Sequence, residues 1–159
     1  MAKKINTCSS LYTQKVMETF KNPHNFGRMK NPDGIGKIGN PVCGDVMHLY
    51  IKVVKREPAS AKASASVKTT AGQAGVAKED VIKDIKFETF GCVAAIATSS
   101  IITDLIKGKT IKEAMKIKKD DIVRSLGGLP KIKYHCSVLA IDALHKAVED
   151  YNAKNNAKK

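Results

Sequence analysis

Apolar positions recur in this chain with two different spacings, and the spacing changes along its length. Tyr12, Val16 and Phe20 fall four apart in LYTQKVMETFK, which predicts a short helix over about Leu11–Lys21 with one buried face. Asn22 and Pro23 end it, because the residue before a proline is driven out of the helical region. The stretch HNFGRMKNPDGIGKIGNP is rich in Gly, Asn and Pro and predicts loop and turn, with a short edge strand near Ile35–Ile38. In VMHLYIKVV the period drops to two: Met47, Leu49, Ile51 and Val53 lie on one face and His48, Tyr50 and Lys52 on the other, as in a half-buried strand. IKDIKFETF repeats the alternation, with Ile85, Phe87 and Thr89 set against Lys86 and Glu88.

Beyond Gly91 the period becomes helical again. CVAAIATSSIITDLIKG is strongly apolar, with Gly108 placed to close a helix. TIKEAMKI and KDDIVRSL predict short helical pieces, and Gly127, Gly128 and Pro130 break the chain before a last helix. That helix carries Leu139, Ala143, Ala147 and Tyr151 on one face, with Leu144 and Val148 beside it. Helix, strands, then helices predict an α+β fold: a small three-stranded antiparallel sheet with helices packed on one face.

One segment fits neither period. From Glu57 to about Asp80 small residues dominate and aromatics are absent, so the stretch cannot bury enough surface to offset the entropy of ordering. It predicts a mobile surface insert between two strands, within a single domain spanning 1–159 whose ends, about 1–9 and 152–159, are disordered. The 159 residues suffice for one real core. No apolar run is long enough to cross a bilayer, and MAKKINTCSS has no apolar signal region, which leaves a cytoplasmic location as the expectation.

Composition adds one question and largely answers it. The formal net charge is +13, which raises nucleic acid as a partner. Yet the basic residues are nearly all lysine, with Arg28, Arg56 and Arg124 the only arginines, and aromatics make up 5%. Base reading favours the arginine fork, and single strands need stacking rings. The expectation is no nucleic acid and no membrane.

The chemistry lies in the cysteines: Cys8, Cys43, Cys92 and Cys136. None forms a CxxC pair, which excludes zinc ribbons and thioredoxin motifs. In a reducing compartment free, catalytic or metal-binding thiols are expected rather than disulfides. Cys43 stands in the turn GNPVCGD with Asp45 two positions on; Cys92 follows TFG and opens a helix; Cys136 follows His135 and opens another. Helix N-termini favour a thiolate, so these sulfurs are expected to be partly exposed and nucleophilic, with Lys133 favouring ionisation of Cys136. Singly, each has a plainer reading: a buried small hydrophobe for a cysteine, a hydrogen-bonded histidine for His135, a turn residue for Asp45. Together, sulfur, imidazole and carboxylate suit zinc or an iron–sulfur centre. Cys8 has no ligand-type neighbour and reads as incidental.

GNPVCGDVM, TFGCVAAIATSSIITDLIKGKTIKEA and LPKIKYHCSVLAIDAL resemble, in order, the three signature segments of IscU-type iron–sulfur cluster assembly scaffolds, also found as the N-terminal domain of NifU proteins. YTQKVMETFKNPHNFG resembles the same family's opening helix and loop. The resemblance implies a NifU-N/IscU-like fold. It also implies a non-enzymatic scaffold that builds a [2Fe-2S] cluster from iron and desulfurase-derived sulfur and passes it to apo-proteins. Cys43, Asp45, Cys92, His135 and Cys136 would be the ligands of cluster, iron or, in the cluster-free form, zinc, and Cys136 the persulfide acceptor. Implied partners are an IscS/NifS-type cysteine desulfurase, ferredoxin, apo iron–sulfur acceptors, a frataxin-like protein and Hsp70/J-type chaperones.

The chain departs from that family at two points. Lys131 stands in LPKIK where the chaperone-recognition segment has a second proline, while Leu129, Pro130 and Lys133 match. The insert lies between the first two motif cysteines, whereas zinc-containing SufU relatives carry theirs between the second and third and lack a histidine before the last cysteine. His135 therefore argues for the IscU type. A zinc protein that takes sulfur and activates a desulfurase is the alternative function.

Overall fold

The computed structural model describes residues 11–56 and 79–157. Cys8, the expected disordered N-terminal end, residues 158–159 and most of the expected insert lie outside the described residues.

The chain begins with α1 (Gln14–Lys21), three residues later than the hydrophobic period alone predicts. Thr13 sets the boundary: its hydroxyl accepts from the Val16 N–H, capping the helix, and donates to the Leu126 carbonyl at 2.6 Å. Three antiparallel strands follow, β1 (Gly34–Gly39), β2 (Val46–Arg56) and β3 (Glu79–Phe90), with β2 in the centre. Their register places Leu49 opposite Phe87 and Ile51 opposite Ile85, so Met47, Leu49, Ile51, Ile85 and Phe87 form one wholly buried face. β3 begins at Glu79, and Glu79 and Asp80 pair with Arg56 and Lys55, so the end of the expected insert belongs to the sheet.

The helices lie on this face: α2 (Val93–Ile106), α3 (Ile111–Ala114), α4 (Lys119–Ser125) and α5 (Tyr134–Asn156), with a 3-10 turn at Lys131–Lys133 before α5. Gly108, at φ +82°, comes just after Lys107, the C-cap of α2, and bonds through its N–H to the Ile82 carbonyl. α5 runs past Tyr151, so 152–156 are helical rather than disordered; Asn155 donates to the Tyr151 hydroxyl and Lys154 pairs with Asp150.

α5 lies directly against β1. The positions of β1 facing it are Gly34 and Gly36, and a Cβ on Gly36 would collide with the Ala143 carbonyl oxygen and stand 2.8 Å from the Ala147 nitrogen. Glycine is thus required there by close approach of helix and strand backbones.

The other face of the sheet is not simply polar. Tyr50 is only 4% exposed, although it alternates with the core residues. The chain crosses from the β3 edge, where Phe26 pairs with Phe87, to β1, bringing Arg28, Asn31 and Asp33 to that face. The Tyr50 hydroxyl donates to Glu88 at 2.6 Å, and Arg28 lies 3.6 Å from the same carboxylate. Among the described residues no helix is long and apolar enough to cross a membrane.

Candidate metal centre

Three loop or element ends converge at one end of the sheet. The turn between β1 and β2 is closed on itself: Asn40 N–H donates to the Asp45 carbonyl, Gly44 N–H to the Asn40 carbonyl, and Val42 N–H to the Asn40 side chain. Gly44 sits at φ +73°, a left-handed conformation glycine adopts without cost. This turn presents Cys43 to solvent and folds Asp45 inward, where it is buried.

Val46 pairs with Phe90, so the end of β3 lies beside this turn. Only Gly91 and Cys92 separate β3 from α2, and Cys92 is the N-cap of that helix. Asp45 rests against Gly91: a Cβ there would meet its Oδ1 at 2.8 Å and the Ala95 Cβ at 2.9 Å. Gly91 is a site residue that pattern reading missed. Its only signal was a glycine directly before a cysteine at a strand end.

α5 supplies the rest. It starts at Tyr134, so His135 and Cys136 lie within its first turn rather than just before it. The Thr98 hydroxyl of α2 donates to the Cys136 carbonyl at 3.3 Å, tying the two helices at the level of the site. The five residues meet as two overlapping groups: Cys43, Asp45 and His135, and Asp45, Cys92 and Cys136, each with donor atoms within 4.8 Å of one another. Asp45 belongs to both.

The spacings suit a metal. Cys92 Sγ lies 3.8 Å from Cys136 Sγ, which lies 3.7 Å from Asp45 Oδ2. Two thiolates on one tetrahedral zinc with bonds of about 2.3 Å stand about 3.8 Å apart. Among the described residues, His135 Nε2 is buried without a hydrogen-bond partner. Such an orphan costs about 1–3 kcal/mol unless something fills its lone pair, and a metal ion would.

The expectation for Cys136 needs correction on two counts. It is 1% exposed, not partly exposed, and its thiol is pushed up by hydrogen bonding to Cys92 and by burial. Cys92, half-buried, is instead pulled down to about 5, chiefly by the Cys136 S–H, helped by the Ala95 N–H of the helix end and by Lys133. Lys133 is pushed up, with Cys92 the largest cause and Cys136 a smaller one, so its charge acts chiefly on Cys92. The two thiols titrate as a pair, with the anion favoured on the more accessible sulfur, Cys92. In the LPKIK segment Lys131–Lys133 form a 3-10 turn, with Lys131 and Ile132 exposed.

An α+β frame carrying three thiols, a carboxylate and an imidazole on converging loops defines a metal-handling domain. The NifU-like N terminal domain model matches residues 11–64 and 73–158, and the chain belongs to that family. The match skips 65–72, inside the expected insert. It is 49% identical over 145 residues to the iron-sulfur cluster assembly scaffold protein IscU 1 of Archaeoglobus fulgidus, covering 91% of this chain and 79% of that protein. Over 150 residues it is 41% identical to the Escherichia coli iron-sulfur cluster assembly scaffold protein IscU, covering 92% and 98%. The fold matches a nitrogen-fixing NifU-like protein (N-terminal) from Brucella abortus at a TM-score of 0.59 and 18% identity, covering 92% of this chain and 98% of that one.

Proposed function

We propose that this protein is a scaffold on which [2Fe-2S] clusters are assembled and from which they pass to apo-proteins. The observation that carries the reading is the pair of donor groups sharing Asp45, one completed by Cys43 and His135 and the other by Cys92 and Cys136. Two donor groups that share one carboxylate suit a dinuclear centre. Three thiolates backed by exchangeable oxygen and nitrogen ligands hold iron less permanently than four thiolates would, as a donor requires.

Cys43, Asp45, Cys92, His135 and Cys136 hold the metal in this account. Cys136 accepts persulfide sulfur from a cysteine desulfurase. Because its Sγ is buried, uptake requires Cys92 or the Asp45 side chain to move aside. Val42, Phe90 and Ile132 are large, exposed and next in sequence or nearly so to Cys43, Cys92 and Lys133. They form the surface on which a desulfurase, frataxin-like protein, ferredoxin, apo-acceptor or Hsp70-type chaperone meets the site. The chain acts as one domain, in a reducing compartment such as the cytoplasm, where Cys43, Cys92 and Cys136 stay free. It is a cluster donor, not a turnover catalyst.

Anaerobic incubation with a desulfurase, cysteine, ferrous iron and a reductant tests this, followed by absorption and Mössbauer spectroscopy. A [2Fe-2S] signature on this chain is expected. Stoichiometric zinc with faster desulfurase turnover and no cluster would favour the sulfur-acceptor function instead. Asp45→Ala should lengthen cluster lifetime, since a labile oxygen ligand is lost; a shorter lifetime would contradict that role.

A further inference from the structure

The two sulfurs that face each other at 3.8 Å suggest chemistry beyond metal binding. We propose that Cys92 is a resolving thiol: in the metal-free site it attacks the Cys136 persulfide at its inner sulfur and expels the outer sulfur as hydrosulfide. The inference rests on the reading of Cys136 as sulfur acceptor.

The step is Cys136–S–SH plus the Cys92 thiolate giving a Cys92–Cys136 disulfide and HS⁻. The Sγ–Sγ bond forms and the bond from Cys136 Sγ to the outer sulfur breaks. The two cysteine sulfurs are together oxidised by two electrons, and the outer sulfur is reduced to sulfide and keeps its proton. No outside reductant is needed.

Geometry selects this route. Cys92 Sγ already touches Cys136 Sγ and needs to close from 3.8 Å to the about 2.05 Å of a disulfide. Transfer of the outer sulfur to Cys92 would require attack on an atom that this contact does not address. Hydrosulfide is a weaker base than a cysteine thiolate, so it is also the better leaving group. Cys43 is not the competitor, because its sulfur groups with Asp45 and His135. A metal held by Asp45, Cys92 and Cys136 engages the Cys92 lone pair and blocks the step. The empty site therefore discards sulfur and closes, whereas the loaded site keeps it.

The test uses the full chain carrying Cys8→Ser and Cys43→Ser, so that only the facing pair remains. The metal-free protein is treated with inorganic polysulfide, excess is removed, and intact mass, peptide mapping and released sulfide are followed. The expected course is gain of one sulfur on Cys136, then its loss with one sulfide released per Cys92–Cys136 disulfide, reversed by dithiothreitol. Adding Cys92→Ala, or Cys92→Ser should the alanine variant lose its circular dichroism signature, should prolong the Cys136 persulfide at least tenfold. Zinc added after the persulfide has formed and the excess polysulfide has been removed should prolong it likewise. Sulfur on Cys92, no uptake at Cys136, or a lifetime indifferent to Cys92 or to zinc would overturn the proposal. Polysulfide loading keeps the two readings apart: a chain that builds no cluster yet discharges its persulfide this way would sink only the scaffold reading.

Discussion

The β1–α5 contact and the metal centre lie within one small fold and follow opposite rules. Between β1 and α5 the backbones approach so closely that no atom can be added: Gly34 and Gly36 face Ala143 and Ala147 without a side chain between them. The Ile35 N–H on the open edge of β1 is met by Asp150 of α5 at 2.8 Å. At the metal centre the fit is deliberately incomplete. Cys136 has long sulfur contacts in place of strong hydrogen bonds, and His135 Nε2 has no partner among the described residues. One region is a frame and the other is a socket. The frame sets where α5 begins, and so where the last two donors stand.

The largest effect expected from disturbing this contrast is at the frame. Gly36→Ala should destabilise the fold by about 1–3 kcal/mol or more through overpacking against backbone, which cannot yield as a side chain would. For a domain of this size roughly 2–4 °C of Tm is lost per kcal/mol. Gly39→Ala, whose Cβ would meet nothing closer than 3.7 Å, should leave the thermal melt nearly unchanged.

At the socket the sign reverses. His135→Ala removes an orphaned buried nitrogen, so the metal-free protein should melt no lower than wild type, while zinc affinity falls about tenfold or more, ~1.4 kcal/mol. Calorimetry and titration with a chelator check both halves. A metal-free protein that is clearly destabilised would show that the histidine has a structural role.

The thiol pair gives a third handle. A Cys92 thiol pulled down to about 5 stays a thiolate at neutral pH and gains its proton only as pH falls through that value. Alkylation of Cys92 by iodoacetamide in metal-free protein should therefore be flat above about pH 6 and decline through about pH 5. Cys136→Ala, which removes the S–H donor, should move that decline to higher pH. A smaller effect than at Gly36 is expected from Gly91→Ala: its Cβ meets the Asp45 carboxylate and the Ala95 methyl group rather than backbone. The Asp45 carboxylate must turn and α2 must shift slightly at Ala95, so metal affinity should drop a few-fold with a stability loss of about 1–2 kcal/mol.

The periodic elements were legible from sequence because burial writes a period into side chains. Met47, Leu49 and Ile51 on β2 and Leu139, Ala143 and Ala147 on α5 are buried as their spacing predicts. β1 was harder to read, since its inward positions include Gly34 and Gly36, which carry no side chain to reveal a face. Tyr50 lies on the face its alternation assigns, but its burial there was not legible, because alternation cannot report that Arg28 and Glu88 meet its hydroxyl on the far face. The convergence of five candidate donors was legible through three motifs, each at an element boundary. How they share a proton was not. It depends on the contact between Cys92 and Cys136, 44 residues apart, and on burial of the second sulfur beneath the first helix turn.

Cluster transfer tests the central claim most directly. Protein carrying a freshly assembled cluster is mixed anaerobically with apo-ferredoxin, the two are separated, and iron, sulfide and visible spectrum are measured on each. The account predicts that the [2Fe-2S] bands leave this chain and appear on the ferredoxin with both iron and sulfide. Bands that stay on this chain, or a ferredoxin reconstituted only when free iron and sulfide are added, would contradict it.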